Sequence, residues 1–85
     1  MDGKTYAVVS PVMGTFYRAS APGAEPLVEV GQTVKAGQVV CIVESMKIFT
    51  ELRAEKAGTV TAILLEDEDP VMKSQEVMQI EVDDA

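Results

Sequence analysis

The sequence predicts an all-β fold, a flattened antiparallel β-sandwich or barrel built from two similar halves. Three observations carry that expectation. Short runs rich in Val, Ile, Thr and Leu alternate with Gly, Pro and Asp turns along the 85 residues. Apolar residues never recur at helical spacing over three turns, so no substantial helix is expected. The third is a pattern of residues that repeats between the two halves of the chain.

In chain order, Tyr6 to Ser10 forms a first expected strand, stopped by Pro11, which has no N–H to give a ladder. Val12 to Tyr17 makes a second. Residues 18–26 read as a loop, with two Pro, one Gly and no apolar alternation. Leu27 to Val30 is expected to resume a strand before a turn at Gly31-Gln32. Val34 reads as an isolated apolar anchor ahead of the turn at Lys35-Ala36-Gly37. Gln38 to Val43 and Ile48 to Leu52 are β-branched runs on either side of Glu44-Ser45-Met46-Lys47, the arrangement of a hairpin.

After the hairpin, a turn at Ala57-Gly58 leads into Thr59 to Leu65, the longest β-compatible run. Residues 66–70 are an acidic turn in the half away from the 18–26 loop. Val71-Met72 is a second isolated anchor, Gln75 to Val82 the closing strand, and Asp83 to Ala85 a frayed tail.

The repeat organises these pieces. Met13-Gly14-Thr15-Phe16 matches Ala57-Gly58-Thr59-Val60 at an offset of 58 − 14 = 44, and Val34, Gln38, Val40 and Glu44 match Val71, Gln75, Val77 and Glu81 at 75 − 38 = 37. The first half therefore holds 44 − 37 = 7 extra residues between Phe16 and Val34, and the Pro-containing loop is where they fall. Two halves unable to bury an apolar face alone are expected to pair about a quasi-twofold axis. The hairpin tip is then expected at one end of the sandwich and both termini at the other. Gly14, Gly31, Gly37 and Gly58 read as turn residues that permit unusual backbone angles.

Composition narrows the function. One domain is the expectation at this length. A net charge of −7 speaks against nucleic acid, which needs clustered Lys and Arg, and against an anionic membrane surface. No apolar run reaches membrane-spanning length. Cys41 is the single cysteine and His is absent, so neither an internal disulfide, a Cys-His nucleophile nor a Cys/His metal site is expected; Cys41 reads as a packing residue. Gly31 and Gly37 are too far apart to cradle a phosphate.

The hairpin tip is the unusual feature. Two-residue hairpin turns need positive φ and are normally filled by Asn, Asp or Gly, whereas here the corner residues are Met46 and Lys47. Strain at a turn is a prompt to look for function. The Glu44-Ser45-Met46-Lys47 tetrad, with Gly31, Gly37 and Ala57-Gly58-Thr59-Val60, resembles the biotinyl domains of the biotinyl/lipoyl family, whose usual tetrad reads Glu-Ala-Met-Lys. The likeness runs from about residue 7 to 82, and is nearest to the carriers of multisubunit acetyl-CoA carboxylases.

That resemblance implies two four-stranded sheets in a hammerhead arrangement, one domain over 1–85 with a core of about 6–82, a biotinylation hairpin at 44–48 and a thumb-like loop at 18–26 lying near the biotin. It implies that Lys47 carries biotin in amide linkage, that Met46 aids recognition by a biotin protein ligase, and that Glu44 helps present the turn, although a solvated strand-end carboxylate is an equal reading of Glu44. Ser45 stands where Ala is usual and adds a hydroxyl able to bond the turn backbone. At Glu68-Asp69-Pro70 the family often has a Gly, a departure expected to affect local loop shape only.

The implied function is non-catalytic: the arm takes a carboxyl group from biotin carboxylase to a carboxyltransferase for malonyl-CoA formation in fatty acid biosynthesis. The implied setting is the cytoplasm, or the plastid stroma for a mature plant domain. The alternatives are a lipoyl carrier of a 2-oxoacid dehydrogenase complex, a biotinyl domain of another carboxylase or decarboxylase, and an unmodified structural homologue. Asp-Lys-Ala at the lipoyl tip, the usual lack of the thumb in biotinyl domains of pyruvate, propionyl-CoA or decarboxylase-type enzymes, and the usual loss of the lysine in unmodified homologues set these apart from a chain with Met46-Lys47 and the 18–26 insertion.

Overall fold

In the computed structural model, which describes residues 4–21 and 23–82, eight strands and no helix form the fold. They are β1 (Thr5–Val9), β2 (Gly14–Tyr17), β3 (Thr33–Val34), β4 (Val39–Ser45), β5 (Ile48–Arg53), β6 (Gly58–Ile63), β7 (Pro70–Val71) and β8 (Glu76–Val82). The first sheet runs β1-β8-β6-β3 and the second β5-β4-β2-β7, with every pairing antiparallel. Adding four to each strand of the first order, cyclically, gives the second, so the quasi-twofold repeat of the sequence is the symmetry of the fold. Overall dimensions of 41 × 26 × 20 Å give the flattened shape. The described chain ends meet in the first sheet, where Thr5 pairs with Glu81, while the hairpin belongs to the second. The tail at 83–85 lies outside the described residues.

The inner faces are filled by β-branched side chains. Val34, Val40, Val43, Val60, Val71, Val77 and Ile80 are buried, and Phe16 is the one aromatic among the buried residues. With so little aromatic volume the sheets are held together by many small, stiff side chains in close contact. Cys41 lies in this core, and burial pushes its thiol up to about 12.

Four turns use one chemistry, and they come in symmetry-related pairs. Gln38 accepts the Lys35 N–H on Oε1 at 2.9 Å and donates its own N–H to the Lys35 carbonyl at 3.0 Å; Gln75 does the same to Met72 at 2.8 and 3.1 Å. Gln32 closes on Glu29, and Asp69 on Glu66, in the same way. In the first half the left-handed residues of these turns are Gly31 (φ 92°) and Gly37 (φ 85°); in the second they are Glu68 (φ 71°) and Ser74 (φ 69°). The fold imposes the backbone angle whether or not the residue prefers it.

Three expectations are corrected. Leu27 to Val30 is not a strand: the Leu27 N–H closes the loop onto the Arg18 carbonyl at 2.7 Å and the next residues turn back through Glu29 and Gln32, so only Val28 is buried. Val34 and Val71-Met72 are not isolated anchors: Val34 and Val71 each end a two-residue strand, Thr33 and Val34 pairing with β6 and Pro70 and Val71 with β2, and Met72 is exposed. Gly14 and Gly58 are not turn residues with permissive angles. They begin β2 and β6, and a Cβ on either would strike the carbonyl oxygen of Glu44 or Glu81 respectively.

Two outcomes follow from this packing. Gly14→Ala and Gly58→Ala are each expected to destabilise the chain by about 2–3 kcal/mol, because the obstacle is backbone and cannot swing aside; urea unfolding measures it, with the two losses similar. Because the folded state raises the Cys41 pKa, its contribution is complete below the thiol's unfolded value near 9 and is lost as pH rises toward 12. Stability in alkali should therefore fall by about 1.4 kcal/mol per pH unit in that window from this group, and Cys41→Ala should flatten the decline.

Candidate functional site

The site grows out of β4. Its centre, Val40 to Val43, is buried, so β4 is fixed between β5 and β2. The ladder with β5 pairs Glu44 with Phe49 and Ser45 with Ile48, leaving Met46 and Lys47 as a two-residue turn. Both adopt the left-handed conformation, Met46 at φ 53° and Lys47 at φ 66°, the primed geometry that matches strand twist. Side chains with a Cβ give up about 1–2 kcal/mol each in that conformation. Met46 is 92% exposed and Lys47 is exposed, so no packing of the tip against the domain offsets it.

Glu44 is not a free strand-end carboxylate. It is half-buried, and the Tyr17 hydroxyl donates to its Oε1 at 3.1 Å. Its carbonyl lies against Gly14, so the residue is held through both main chain and side chain. The hydrogen bond to a carboxylate, with the negative charges of Glu44, Glu68 and Asp67 nearby, raises the Tyr17 pKa above 10.0. Ser45 is half-buried, and among the described residues its hydroxyl makes no hydrogen bond to the turn backbone.

From the loop at 18–26, Ala19, Ser20 and Ala21 lie across a cavity from Ile42 and Phe49 of the second sheet, beside the hairpin. Arg18 ties the loop's ends together: its carbonyl accepts from Leu27, and Nη2 donates to the Val28 carbonyl at 3.1 Å. The acidic turn holds it from the other side. Asp67 Oδ1 accepts the Arg18 N–H at 2.8 Å, the Glu68 N–H donates to the Phe16 carbonyl at 2.6 Å, and the Phe16 N–H donates to the Asp69 carbonyl at 2.8 Å. The turn expected to lie away from the loop is thus its support.

Between loop, hairpin and acidic turn is a cavity of about 240 Å³. Its apolar lining comes from Ile42 and Phe49, with Ala19 and Ala21 from the loop; Tyr17, Glu44, Asp67 and Glu68 supply polar groups. Tyr17 is opposite Ile42 and Glu44 is opposite Phe49 in the ladders, which puts all four on one face. Sequence reasoning missed Tyr17, Phe49, Asp67 and Glu68. The alternation in β2 and β5 marks the outward positions, but nothing local says that the acidic turn closes over them. Among the described residues no three His, Cys, Asp or Glu are grouped to hold a metal.

Fold and tip together define a small β-sandwich whose outstanding exposed group is one lysine on a left-handed hairpin corner. Comparison with known proteins gives the family. A family model described as "Biotin-requiring enzyme", covering biotin and lipoyl domains, matches residues 6–80. The chain is 46% identical over 83 residues to the biotin carboxyl carrier protein of acetyl-CoA carboxylase of Nostoc sp., covering 98% of this chain and 46% of that protein. It is 47% identical over 76 residues to the carrier of the same name from Haemophilus influenzae, covering 89% of this chain and 49% of that one. Among solved structures, the urea carboxylase of Kluyveromyces lactis superposes with a TM-score of 0.77 at 30% identity, over 94% of this chain and 6% of that one. The chain belongs to the biotin/lipoyl attachment family. Biotin is the cofactor that this membership carries. The chain spans about half the length of the bacterial carriers it matches.

Spectrophotometric titration tests the site's geometry. The Tyr17 phenol, identified by its loss in Tyr17→Phe, should ionise above the usual range, and Glu44→Gln should bring it back down. Titration unaffected by Glu44→Gln would contradict the contact.

Proposed function

We propose that this chain is the biotin-bearing carrier domain of an acetyl-CoA carboxylase, with biotin in amide linkage on Lys47. The observation that carries the reading is the left-handed Met46-Lys47 corner: a strained, exposed lysine with no hydrogen-bond or ion-pair partner among the described residues, in a chain 46–47% identical to named carriers over most of its length. The domain is one unit over 1–85, with a core at 6–82, a thumb-like loop at 18–26 and the biotinylation hairpin at 44–48. It works in the cytoplasm, or in the plastid stroma for a plant protein; chloroplast carriers from Arabidopsis thaliana are among its relatives.

The domain is a carrier and not a catalyst. Biotin, when bound, supplies a ureido nitrogen on which a carboxyl group travels from biotin carboxylase to a carboxyltransferase, which makes malonyl-CoA for fatty acid synthesis. The protein's part is geometric. β4 and β5 hold the tip rigid, the turn turns the Lys47 side chain away from the sandwich, and the acylated lysine becomes an uncharged tether that raises effective concentration at both enzymes. Biotin protein ligase supplies the activated acyl group. Met46, without a packing role, is a surface for ligase recognition, and Glu44, clamped by Tyr17, sets the hairpin's position under it.

Lipoylation is the reading to displace. The chain incubated with biotin, ATP and biotin protein ligase should gain the mass of one biotinyl group, and Lys47→Arg should abolish the gain. Met46→Ala should leave the unfolding curve unchanged while lowering the ligase's kcat/KM about tenfold or more, the scale of one well-made contact. A chain that takes lipoate but not biotin would overturn the proposal.

A further inference from the structure

Sulfur is placed unevenly in this domain. Cys41, its single thiol, is fully buried in β4, and burial keeps it protonated, so the thiolate that oxidants attack is not presented. The thioethers are placed the other way. Of the four methionines among the described residues, Met46 is 92% exposed, Met13 61% and Met72 60%, and only Met78, at 1%, lies in the core.

The three exposed methionines share one end of the second sheet. Residues 10–14 run antiparallel beside 71–75: the Ser10 N–H donates to the Gln75 carbonyl at 3.0 Å, the Ser74 N–H donates to the Ser10 carbonyl at 2.7 Å, and Gly14 pairs with Val71. That register sets Met13 beside Met72. Gly14 in turn lies against the carbonyl of Glu44, two residues before Met46, so the pair stands at the foot of the hairpin that carries Lys47. None of the three belongs to the core cluster.

We infer that the attachment end of this domain is a site of reversible methionine oxidation, with Met46 as the residue whose sulfoxide slows biotinylation of Lys47. The inference rests on Lys47 being the biotin site and Met46 a contact of the ligase. The oxidant is a hydroperoxide. The Met46 sulfur gives an electron pair to one peroxide oxygen, the O–O bond breaks, an S–O bond forms and the peroxide leaves as water or an alcohol; sulfur loses two electrons and the peroxide gains them. Methionine sulfoxide reductases reverse the step with a dithiol, the oxygen leaving as water while two thiols become a disulfide. Oxidation puts a polar, chiral group where the ligase meets an apolar one, next to the lysine to be acylated. Because the exposed thioethers lie outside the core, the domain registers the oxidant at its tip without unfolding.

The test treats the folded chain with hydrogen peroxide, removes the peroxide, maps sulfoxides by peptide mass and measures initial rates with biotin protein ligase. Sulfoxide should form at Met46, Met13 and Met72 well before Met78, with Cys41 unmodified and the urea midpoint unchanged. The ligase's kcat/KM should fall about tenfold, the scale of one lost contact, and methionine sulfoxide reductases with dithiothreitol should restore it. In Met46→Leu the rate, whatever its starting value, should be the same before and after peroxide, while Met13→Leu with Met72→Leu should lose rate as the native chain does. An unchanged rate on a chain with mapped Met46 sulfoxide, or an equal loss in Met46→Leu, overturns the inference and leaves the carrier reading intact. Oxidation of Met78 as fast as Met46 does the same. If the unoxidised chain gains no biotinyl mass, the carrier reading falls and this inference with it.

Discussion

Much of the structure depends on one close approach of backbone to backbone. Gly14 lies so near the Glu44 carbonyl that no side chain fits, and Gly58 repeats the arrangement against Glu81. Each contact sets a β2-type strand against the strand that ends a half. In the first half, that strand ends in the hairpin. The glycine therefore does more than save space: it fixes the height at which Glu44 sits, and with it where Ser45, Met46 and Lys47 emerge. Tyr17, three residues further along the same strand, adds a side-chain grip on the same glutamate. In the second half the Gly58 approach to Glu81 lies in the first sheet, away from the hairpin strands.

Symmetry of fold and asymmetry of function meet in this way. Both halves use the same Gln- or Asp-closed turns and the same cross-links, with the Ser10 N–H given to Gln75 at 3.0 Å and the Ala54 N–H to Gln38 at 2.9 Å. What distinguishes the halves is what the second sheet carries on its outer face. Ala19, Ser20 and Ala21 of the longer first-half loop lie beside that face, and the acidic turn of the second half holds the loop's start through Asp67 and the Arg18 N–H. The result is a cavity beside the hairpin whose lining includes no β8 residue.

A good part of this was legible in the residues. The offsets of 44 and 37 carry the quasi-twofold, and the β-branched runs on either side of Glu44 to Lys47 mark β4, β5 and the tip. Positive φ at Met46 and Lys47 follows from a two-residue turn. What stayed hidden was non-local. Leu27 to Val30 has strand composition, but Arg18 takes its backbone into a loop closure 10 residues away in the Nη2 contact. Gly14 and Gly58 look like turn glycines because the carbonyls that demand them belong to other strands. Glu68 itself is not a residue that prefers a left-handed backbone, and the signs of one are indirect: the alignment with Gly31 across the repeat and the family's frequent Gly at this turn. Tyr17 and Glu44 are 27 residues apart, and their hydrogen bond is a product of register.

The central claim is that the folded hairpin, and not the tetrad alone, makes Lys47 the acceptor. Peptide mapping and initial rates with biotin protein ligase, on the folded chain and on a linear peptide of residues 40–53, address it most directly. The account predicts biotin at Lys47 alone among the five lysines and a much slower reaction of the peptide. Biotin at another lysine, or a peptide modified as fast as the folded chain, would contradict it.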